Sequence, residues 1–361
     1  MVKLLGNLLG GRNLLGIDVG ASAIKVLQGS ASGKSFLVEK CIIVPLPYKA
    51  IDERGISNPQ AVANALSTAF QAIGASKVEV ATSLHGQGVL TKRIALSKQL
   101  PKKEIPNQVR WEAEQYFPVD VTSILVDHVM LGDKAQIPGE PPGTYGWDVL
   151  LVGVRHDDAK VLRDLIEANI GPVKVMDLES FASGDFLERF AQPDPNEAVA
   201  FVDIGASGTR VHVRHQKRVT FLREFYIGGQ SFTDAIAQTL GLAPDDAEAL
   251  KIGSNSGLPA EALAAIGEVL SSWKAELQQC EDVFVTQEAD TFVSRWLLFG
   301  GGTNTPGLSE ALNDERFAGK IALLPMDNYF TAKSSSVDAA VLASWANRLA
   351  TAAGLCMRGK G

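Results

Sequence analysis

The chain has 361 residues, 46% of them hydrophobic and 21% charged, which is the composition of a globular protein with room for two domains. Its net charge of -7 excludes the basic excess that nucleic-acid binding requires, so no nucleic-acid partner is expected. The three cysteines, Cys41, Cys280 and Cys356, form neither a disulfide framework nor a zinc motif, which favours a reducing cytoplasm. No apolar run reaches the length of a transmembrane segment.

The first part of the chain, residues 14–84, is predicted as strands followed by a helix and a further strand. Residues 14–27 read as an apolar strand, an acidic residue, a Gly-Ala-Ser turn and a β-branched strand, the pattern of a β-hairpin. Asn58 and Pro59 are an N-cap and a first helical residue, and they predict a helix. The leucines of residues 1–13 predict a segment packed on this domain, or an amphipathic turn that docks on a partner or a membrane surface.

Residues 85–172 are predicted to form a small inserted α+β subdomain. An amphipathic helix is expected over residues 102–117, because Pro118 follows it, and a second helix over residues 157–169. Strands flank both helices. The Pro- and Gly-rich residues 136–146 predict an exposed hairpin tip.

The remaining chain is predicted to complete the first domain and to build a second one. Residues 173–195 return to the first domain and end in a Pro-rich linker, and residues 196–337 form the second domain. Within it, residues 296–308 read as a buried strand, a triple-glycine turn and the start of a helix. The C-terminal residues 338–361 are expected to form a helix that packs back on the first domain.

The hairpin pattern of the first domain returns at residues 200–213, with Asp203 in the place of Asp18 and Arg210 in the place of Lys25. Backbone N–H groups of a glycine turn bind anions, and a carboxylate beside them can hold Mg²⁺ whose other ligands are water and phosphate oxygens. Two such turns facing each other predict a clamp for the phosphates of a nucleotide.

Together these segments resemble the actin-like (ribonuclease H-like) fold, a two-domain α/β nucleotide-binding fold shared by actin, sugar kinases, heat-shock ATPases and the cell-division protein FtsA. Residues 109–118 are similar to the signature of the inserted subdomain of the PilM family of type IV pilus assembly proteins. The C-terminal residues 353–358 are similar to the end of the same family. The resemblance extends along nearly the whole chain.

The resemblance implies ATP and Mg²⁺ as cofactors, with Asp18 and Asp203 positioning the metal and Lys25 reaching a phosphate oxygen. The residues implied to line the phosphates are Gly20, Ala21, Ser22, Gly205, Ala206 and Ser207. Those implied to surround ribose and base are Gly228, Gly229, Glu248, Lys251, Gly301, Gly302 and Thr303. Without the resemblance, Glu248 and Lys251 can equally be an exposed helix pair at i,i+3 spacing, and the two adjacent glycines a loop before a helix.

The resemblance also implies a protein partner, the N-terminal tail of an inner-membrane pilus protein similar to PilN. The residues implied to contact this tail are Arg110, Trp111, Tyr116 and Phe117. The alternative for the aromatic residues is that they pack in the core of their own subdomain. The implied protein is a cytoplasmic scaffold at the inner face of the inner membrane, in which the nucleotide sets the closure of the two domains.

Three other functions remain open at this point. The first is an ATPase or small-molecule kinase of the same fold, in which Glu179 is the candidate for orienting a hydrolytic water. The second is an FtsA-like protein that self-associates into filaments. The third is a cytoplasmic component of type II secretion. Because no polar cluster resembles a sugar site, we expect nucleotide binding with at most slow ATP hydrolysis.

Overall fold

The computed structural model describes residues 3–4, 14–52, 54–74, 78–84, 86, 88–137, 139–216, 218–253, 257–288, 291–312, 316–317, 319–333 and 337–359. The prediction for residues 1–13 lies outside the described residues, except that Lys3–Leu4 pair in parallel with Val175 and Met176. No helix in the described part of the chain is both long and apolar enough to span a bilayer.

Seventeen strands are described, in chain order: β1 Lys3–Leu4, β2 Leu14–Val19, β3 Ala23–Ser32, β4 Ser35–Pro45, β5 Ile51–Asp52, β6 Gly55–Ile56, β7 Glu79–Leu84, β8 Val89–Leu96, β9 Ile124–Gln136, β10 Tyr145–Arg155, β11 Val173–Leu178, β12 Ala198–Ile204, β13 Thr209–His215, β14 Arg218–Phe225, β15 Val293–Phe299, β16 Ile321–Leu323 and β17 Phe330–Ala332.

The described α-helices are α1 Pro59–Ile73, α2 Ile105–Tyr116, α3 His156–Asn169, α4 Glu179–Ala191, α5 Gly229–Leu240, α6 Pro244–Gly253, α7 Ala260–Gln287, α8 Leu308–Ala311, α9 Ala339–Trp345 and α10 Ala350–Met357. Local sequence explains α1 well. The Asn58 side chain accepts a hydrogen bond from the N–H of Ala61, Pro59 is the first helical residue, and Gly74 ends the helix in the left-handed region at φ 55°. The predicted helix is confirmed.

Two large sheets are built on the same plan. The first has the strand order β1-β11-β7-β2-β3-β4-β17, and the second has the order β14-β13-β12-β15-β16. In each sheet three consecutive strands form an antiparallel meander, and the first strand of the meander pairs in parallel with a strand from later in the chain. The repeated hairpins therefore occupy equivalent places in two similar sheets.

One apolar core joins the two large sheets. Phe186 of α4, Phe201 of β12 and Phe299 of β15 are fully buried in a single cluster, together with Ala353 of α10. Glycine allows the closest approach, because a Cβ on Gly354 would overlap the carbonyl oxygen of Ala182 in α4. The helices α4 and α10 thus pack directly against each other between the sheets.

A third sheet, in the order β8-β10-β9, carries α2 on one face. Val109 and Ala113 of α2 are buried against Val149 and Leu151 of β10, which alternate with residues on the opposite face. That opposite face, which includes Val152, is buried in the core cluster that also contains α1 and α3. Strand β10 is therefore buried on both faces, which explains its continuous apolar sequence.

Candidate functional site

The two predicted hairpins are confirmed and share one register. In the first hairpin Asp18 pairs with Lys25, and in the second Asp203 pairs with Arg210. Each turn is closed by its glycine, since Gly20 N–H donates to the carbonyl of Ala23 at 3.2 Å, and the equivalent N–H in the second hairpin donates at 2.9 Å. Both acidic side chains are buried, at 2% and 8% exposure.

The two hairpins open into one cleft of about 740 Å³. Residues from both large sheets and from the C-terminal segment line it. The predicted site residues among this lining are Asp18, Ala21, Ser22, Lys25, Glu179, Asp203, Gly205, Ala206, Gly229, Glu248, Lys251, Gly301 and Gly302. The cleft therefore brings together residues that are distant in the sequence, from Asp18 to Thr351.

The first hairpin presents a cation beside its acid. Lys25 Nζ lies 2.9 Å from Asp18 Oδ2, and both side chains are largely buried. A Cβ on Gly20 would lie 2.6 Å from the same ammonium nitrogen, so a side chain at this position would displace the end of Lys25. The arrangement holds one positive charge at the edge of the cleft, where a phosphate oxygen can approach it.

The second hairpin presents a more crowded cluster of charges. Arg210 Nε lies 3.0 Å from Glu179 Oε2 and 3.3 Å from Glu224 Oε1, and its Nη1 lies 3.9 Å from Asp203 Oδ2. Burial raises the pKa of Asp203 to about 7, and Glu179 and then Asp18 add to this rise. Burial alone would lower the pKa of Arg210, but the surrounding carboxylates hold it above its usual range.

The start of α5 packs on the second turn. Gly229 N–H donates to the carbonyl of Gly205 at 2.9 Å, and a Cβ on Gly228 would lie 2.7 Å from that same oxygen. Gly228 therefore allows close packing of two backbone segments rather than contact with the cleft. Lys251 Nζ donates to the Gly229 carbonyl at 2.7 Å and lies 2.7 Å from Glu248 Oε2. Because Lys251 is 7% exposed, the interpretation as an exposed helix pair does not describe it.

The triple-glycine turn packs on the same hairpin. Gly300 has φ 96°, a conformation that L side chains rarely adopt, and a Cβ on Gly302 would overlap the side chain of Ile204. Gly301 is exposed and faces the cleft. The Thr303 hydroxyl donates to the Gly300 carbonyl at 2.8 Å and is buried, so it fixes the turn.

Four predicted residues are not among those that line the cleft. They contribute to the turns behind the lining: Gly20, Ser207, Gly228 and Thr303.

Sequence reasoning missed one wall of the cleft. Residues just before and within α10 line it beside the triple-glycine turn, and a Cβ on Gly301 would lie 3.3 Å from Arg348 Cδ. Gly300 N–H donates to the carbonyl of Asn347 at 3.1 Å, which fixes this wall to the turn. The pattern of a C-terminal helix gave no sign of these contacts. The missed lining residues include Tyr48, Trp345, Asn347, Arg348 and Thr351.

The donor set of the cleft fits a nucleotide with Mg²⁺. Within the described residues, no three Asp, Glu, His or Cys side chains gather into a metal site made of protein ligands alone. Mg²⁺ in nucleotide sites is usually bound by one or two carboxylates with water and phosphate oxygens. Asp18 and Asp203, each at the end of a strand beside a glycine turn, supply such carboxylates.

Comparison with known proteins identifies the family. Residues 16–360 match the family model described as type IV pilus assembly protein PilM. The chain belongs to the PilM family. The predicted resemblance is thereby confirmed over nearly the whole chain, and type IV pilus assembly is the process in which this family acts.

Solved structures show the same fold. A PilM–PilN type IV pilus biogenesis complex contains a chain with 24% identity and a TM-score of 0.82, covering 97% of this chain and 99% of that chain. The ethanolamine utilization protein EutJ from Carboxydothermus hydrogenoformans has 13% identity, a TM-score of 0.55 and coverages of 98% and 93%. MreB 5 of Spiroplasma citri, solved bound to AMPPNP, has 10% identity, a TM-score of 0.50 and coverages of 95% and 95%. The predicted actin-like α/β fold is confirmed.

The residues expected to contact a partner lie on or directly after α2. Arg110 is exposed, and Trp111 and Tyr116 are 53% and 44% exposed. Lys92 Nζ lies 5.1 Å from the centroid of the Tyr116 ring. Phe117 is only 6% exposed and packs in the core beneath α2, so the structure does not bring its side chain to this surface. The alternative of core packing applies to Phe117 and not to the other two aromatics.

Proposed function

We propose that this PilM-family chain is an ATP-binding scaffold that docks the N-terminal tail of a PilN-like inner-membrane protein at the cytoplasmic face of that membrane. The observation that carries the proposal is the convergence of two equivalent acid and cation hairpins on one cleft. The similar structure bound to AMPPNP and the similar chain in a PilM–PilN complex support its two halves.

In the proposed nucleotide site, each group in the cleft has its own role. Asp18 and Asp203 hold Mg²⁺, which neutralises the negative charge of the phosphates when it is bound. Lys25 binds a phosphate oxygen, and the glycine turns after both strands offer N–H groups to the others. Gly301 and Glu248 border the part of the cleft that receives ribose and base.

Domain closure follows from where these groups are attached. Asp18 and Lys25 belong to the first large sheet, whereas Asp203 and Gly301 belong to the second sheet or the turn after its β15. A ligand that contacts both sheets binds the closed arrangement better than the open one, and so shifts the protein towards closure. A hydrogen bond from Tyr48 to Asp234 of α5 already crosses between the two parts.

The proposed docking surface for the partner tail is the exposed side of α2. Trp111 and Tyr116 expose apolar ring surface that their own core does not use, and Arg110 adds a positive charge beside them. Aromatic residues and arginine are the side chains most enriched at the energetic centres of protein interfaces.

The docking half is tested with a fluorescent peptide of the N-terminal tail of the PilN-like protein from the same organism. We expect Trp111→Ala and Tyr116→Ala each to weaken binding about tenfold, since truncating a central aromatic costs more than about 1.4 kcal/mol. Tyr145→Ala is the matched control, because Tyr145 is 52% exposed in the same subdomain but on β10. Equal weakening by all three variants, or by none, would contradict docking on α2.

Coupling between the two halves is tested with the same peptide in the presence and absence of Mg²⁺ and ATP. If the nucleotide sets the state of the docking surface, the peptide affinity must change, and the ATP affinity must change by the same factor when the peptide is bound. Identical peptide affinities in both conditions would show that the cleft and the docking surface act independently.

A further inference from the structure

We infer that Arg210 holds Glu179 in an ion pair that prevents hydrolysis of bound ATP, so that the cleft keeps its nucleotide intact. This inference rests on the proposed function, because it concerns the same cleft and deepens the account of its regulation. It assigns Arg210 a positioning role that acts through Glu179.

The geometry of the pair connects the two halves of the protein. Glu179 is the first residue of α4 and follows β11 of the first sheet, whereas Arg210 lies on β13 of the second sheet. Their side chains are 9% and 8% exposed, and the Nε to Oε2 distance is 3.0 Å. An ion pair that is this well shielded from water is screened far less by salt than a surface pair.

Arg210 is held in place from several sides. Glu224 on the neighbouring strand β14 lies 3.3 Å from its Nε, and Asp203 lies 3.9 Å from its Nη1. Arg210 also pairs with Asp203 in the hairpin register, and Glu224 pairs with Arg210 across β13 and β14. The guanidinium therefore lies between carboxylates of its own sheet and Glu179 of the other half of the protein, and its Nε faces both glutamates.

The equivalent cation of the first hairpin behaves differently. Lys25 lines the cleft and makes its ion pair with Asp18 of its own hairpin. Arg210 lies 3.9 Å from the acid of its own hairpin and, at the shorter distance of 3.0 Å, contacts a carboxylate of the other half of the protein. The two hairpins are alike in register but not in the partners of their cations, which points to separate roles.

Hydrolysis needs a group that accepts a proton from the attacking water. As the water oxygen forms a bond to the terminal phosphorus, the bond from that phosphorus to the bridging oxygen breaks, and Glu179, a carboxylate that lines the cleft, would take the water proton. A carboxylate paired with a guanidinium is a poorer proton acceptor, because the positive charge favours its ionised form. The pair thus lowers the catalytic capacity of Glu179 while leaving nucleotide binding in place.

The test begins with the full-length protein and ATP. Binding of ATP is measured by calorimetry, and phosphate release is then measured in a single turnover with protein in excess over ATP. We expect Arg210→Gln to bind ATP and to release phosphate at least about a hundredfold faster than the unchanged protein, the lower end of what a general base contributes. Adding Glu179→Gln to this variant must abolish the gain, which a merely structural effect of Arg210 would not require.

Two further variants serve as controls for an effect of the substitution on folding. Arg210→Gln leaves buried carboxylates without their cation, so Arg210→Gln with Glu224→Gln, which removes one charge of each sign, is measured alongside it. Arg223→Gln is the control, because Arg223 lies on β14 and contacts Glu276 at 3.3 Å outside the cleft. It must release phosphate at the rate of the unchanged protein.

A readout without nucleotide tests the pair itself. The thermal midpoints of Glu179→Gln, Arg210→Gln and the double variant are compared in the nucleotide-free protein, and the two shifts must be non-additive if the residues interact. Additive shifts, or ATP binding with no gain in phosphate release in any Arg210 variant, would overturn the inference while leaving the proposed function intact. Failure of the unchanged protein to bind ATP would overturn both.

Discussion

Lys25 lies opposite Asp18 across the first hairpin, and its Nζ is 2.9 Å from Asp18 Oδ2. The pair repeats in the second hairpin as Arg210 opposite Asp203. Both walls of the cleft therefore have the same local pattern: a strand, an acidic residue, a glycine turn and a cation seven residues after the acid.

Removing the first cation is expected to weaken nucleotide binding. Lys25→Met deletes a partly buried ammonium group beside the phosphate turn, and we expect about a tenfold loss of ATP affinity, the value of one charge-assisted hydrogen bond. Lys34→Met is the control, since Lys34 is exposed at the tip of the next hairpin. Calorimetric titration with ATP and Mg²⁺ checks the prediction, and equal affinities of the two variants would contradict it.

Adding a methyl group between α4 and α10 is expected to destabilise the protein strongly. A Cβ on Gly354 would overlap the backbone carbonyl of Ala182, so Gly354→Ala must push two helices apart at a loss of about 3 kcal/mol in unfolding free energy.

The matched control for this change is Gly267→Ala. No atom lies within 4 Å of a Cβ at this exposed position of α7, so the same substitution should stabilise the protein by about 0.5 to 1 kcal/mol. Denaturant unfolding measures both variants. Similar values for the two would contradict the packing described for α4 and α10.

A buried histidine is expected to make stability depend on pH. Burial lowers the pKa of His212 to about 4, with Asp185 opposing part of this shift, while an unfolded histidine has a pKa near 6.5. The unfolded chain therefore binds the proton first as pH falls. The contribution of His212 is constant above about pH 6.5 and falls by about 3 kcal/mol as pH decreases towards 4.

The pH prediction is checked by measuring unfolding free energies of matched variants between pH 7 and pH 4.5. His212→Phe keeps a ring beside Phe201, whose centroid lies 5.2 Å from the imidazole centroid, and should flatten the pH dependence. His156→Gln, at an exposed position, should leave it unchanged. A steep slope that persists in His212→Phe would assign the effect to other groups.

One arginine is expected to fix the third sheet to the second. Arg93 donates to both carboxylate oxygens of Asp148, at 2.8 Å and 2.7 Å, and to the carbonyl of Thr220 at 2.9 Å, and it pairs with Glu288 after α7. Because Arg93 is partly exposed, we expect Arg93→Met to cost about 2 kcal/mol rather than the full cost of a buried pair.

The local effect of Arg93→Met is checked by hydrogen exchange. Amides of β8 and β14 should exchange faster, while those of the buried strand β12 should not change. Arg155→Met is the control, since Arg155 makes only a long surface pair with Asp158 at 3.9 Å. Unchanged exchange at β14 would show that Arg93 does not join the two sheets.

The sequence was sufficient to predict both hairpins and the pairing of each acid with its cation, because the repeat aligned them, although the strands extend beyond the predicted bounds. It also predicted α1, whose cap and ending residues are local signals. The wall formed by Asn347 and Arg348 could not be predicted, since it depends on contact with a glycine turn in another part of the chain. Local pattern carries no information about which distant backbone a segment will meet.

The sequence also did not predict which aromatic side chains in and directly after α2 are buried. Trp111 lies in α2 and Phe117 directly follows it, and both are aromatic. Trp111 is exposed, whereas Phe117 is buried against Gly153 of β10. Likewise β17 has only three residues and forms because they pair in parallel with β4, which is distant in the sequence. Contacts with distant parts of the chain determine the burial of Phe117 and the formation of β17.

In the proposed function, both hairpins contribute to a single nucleotide site. Calorimetric titration of the protein with ATP and Mg²⁺ tests this, repeated with Asp18→Asn, Asp203→Asn and the exposed control Asp164→Asn. We expect one binding site, loss of Mg²⁺-dependent affinity in both hairpin variants and no loss in the control. Unchanged binding in either hairpin variant, with the protein still folded, would contradict the shared site.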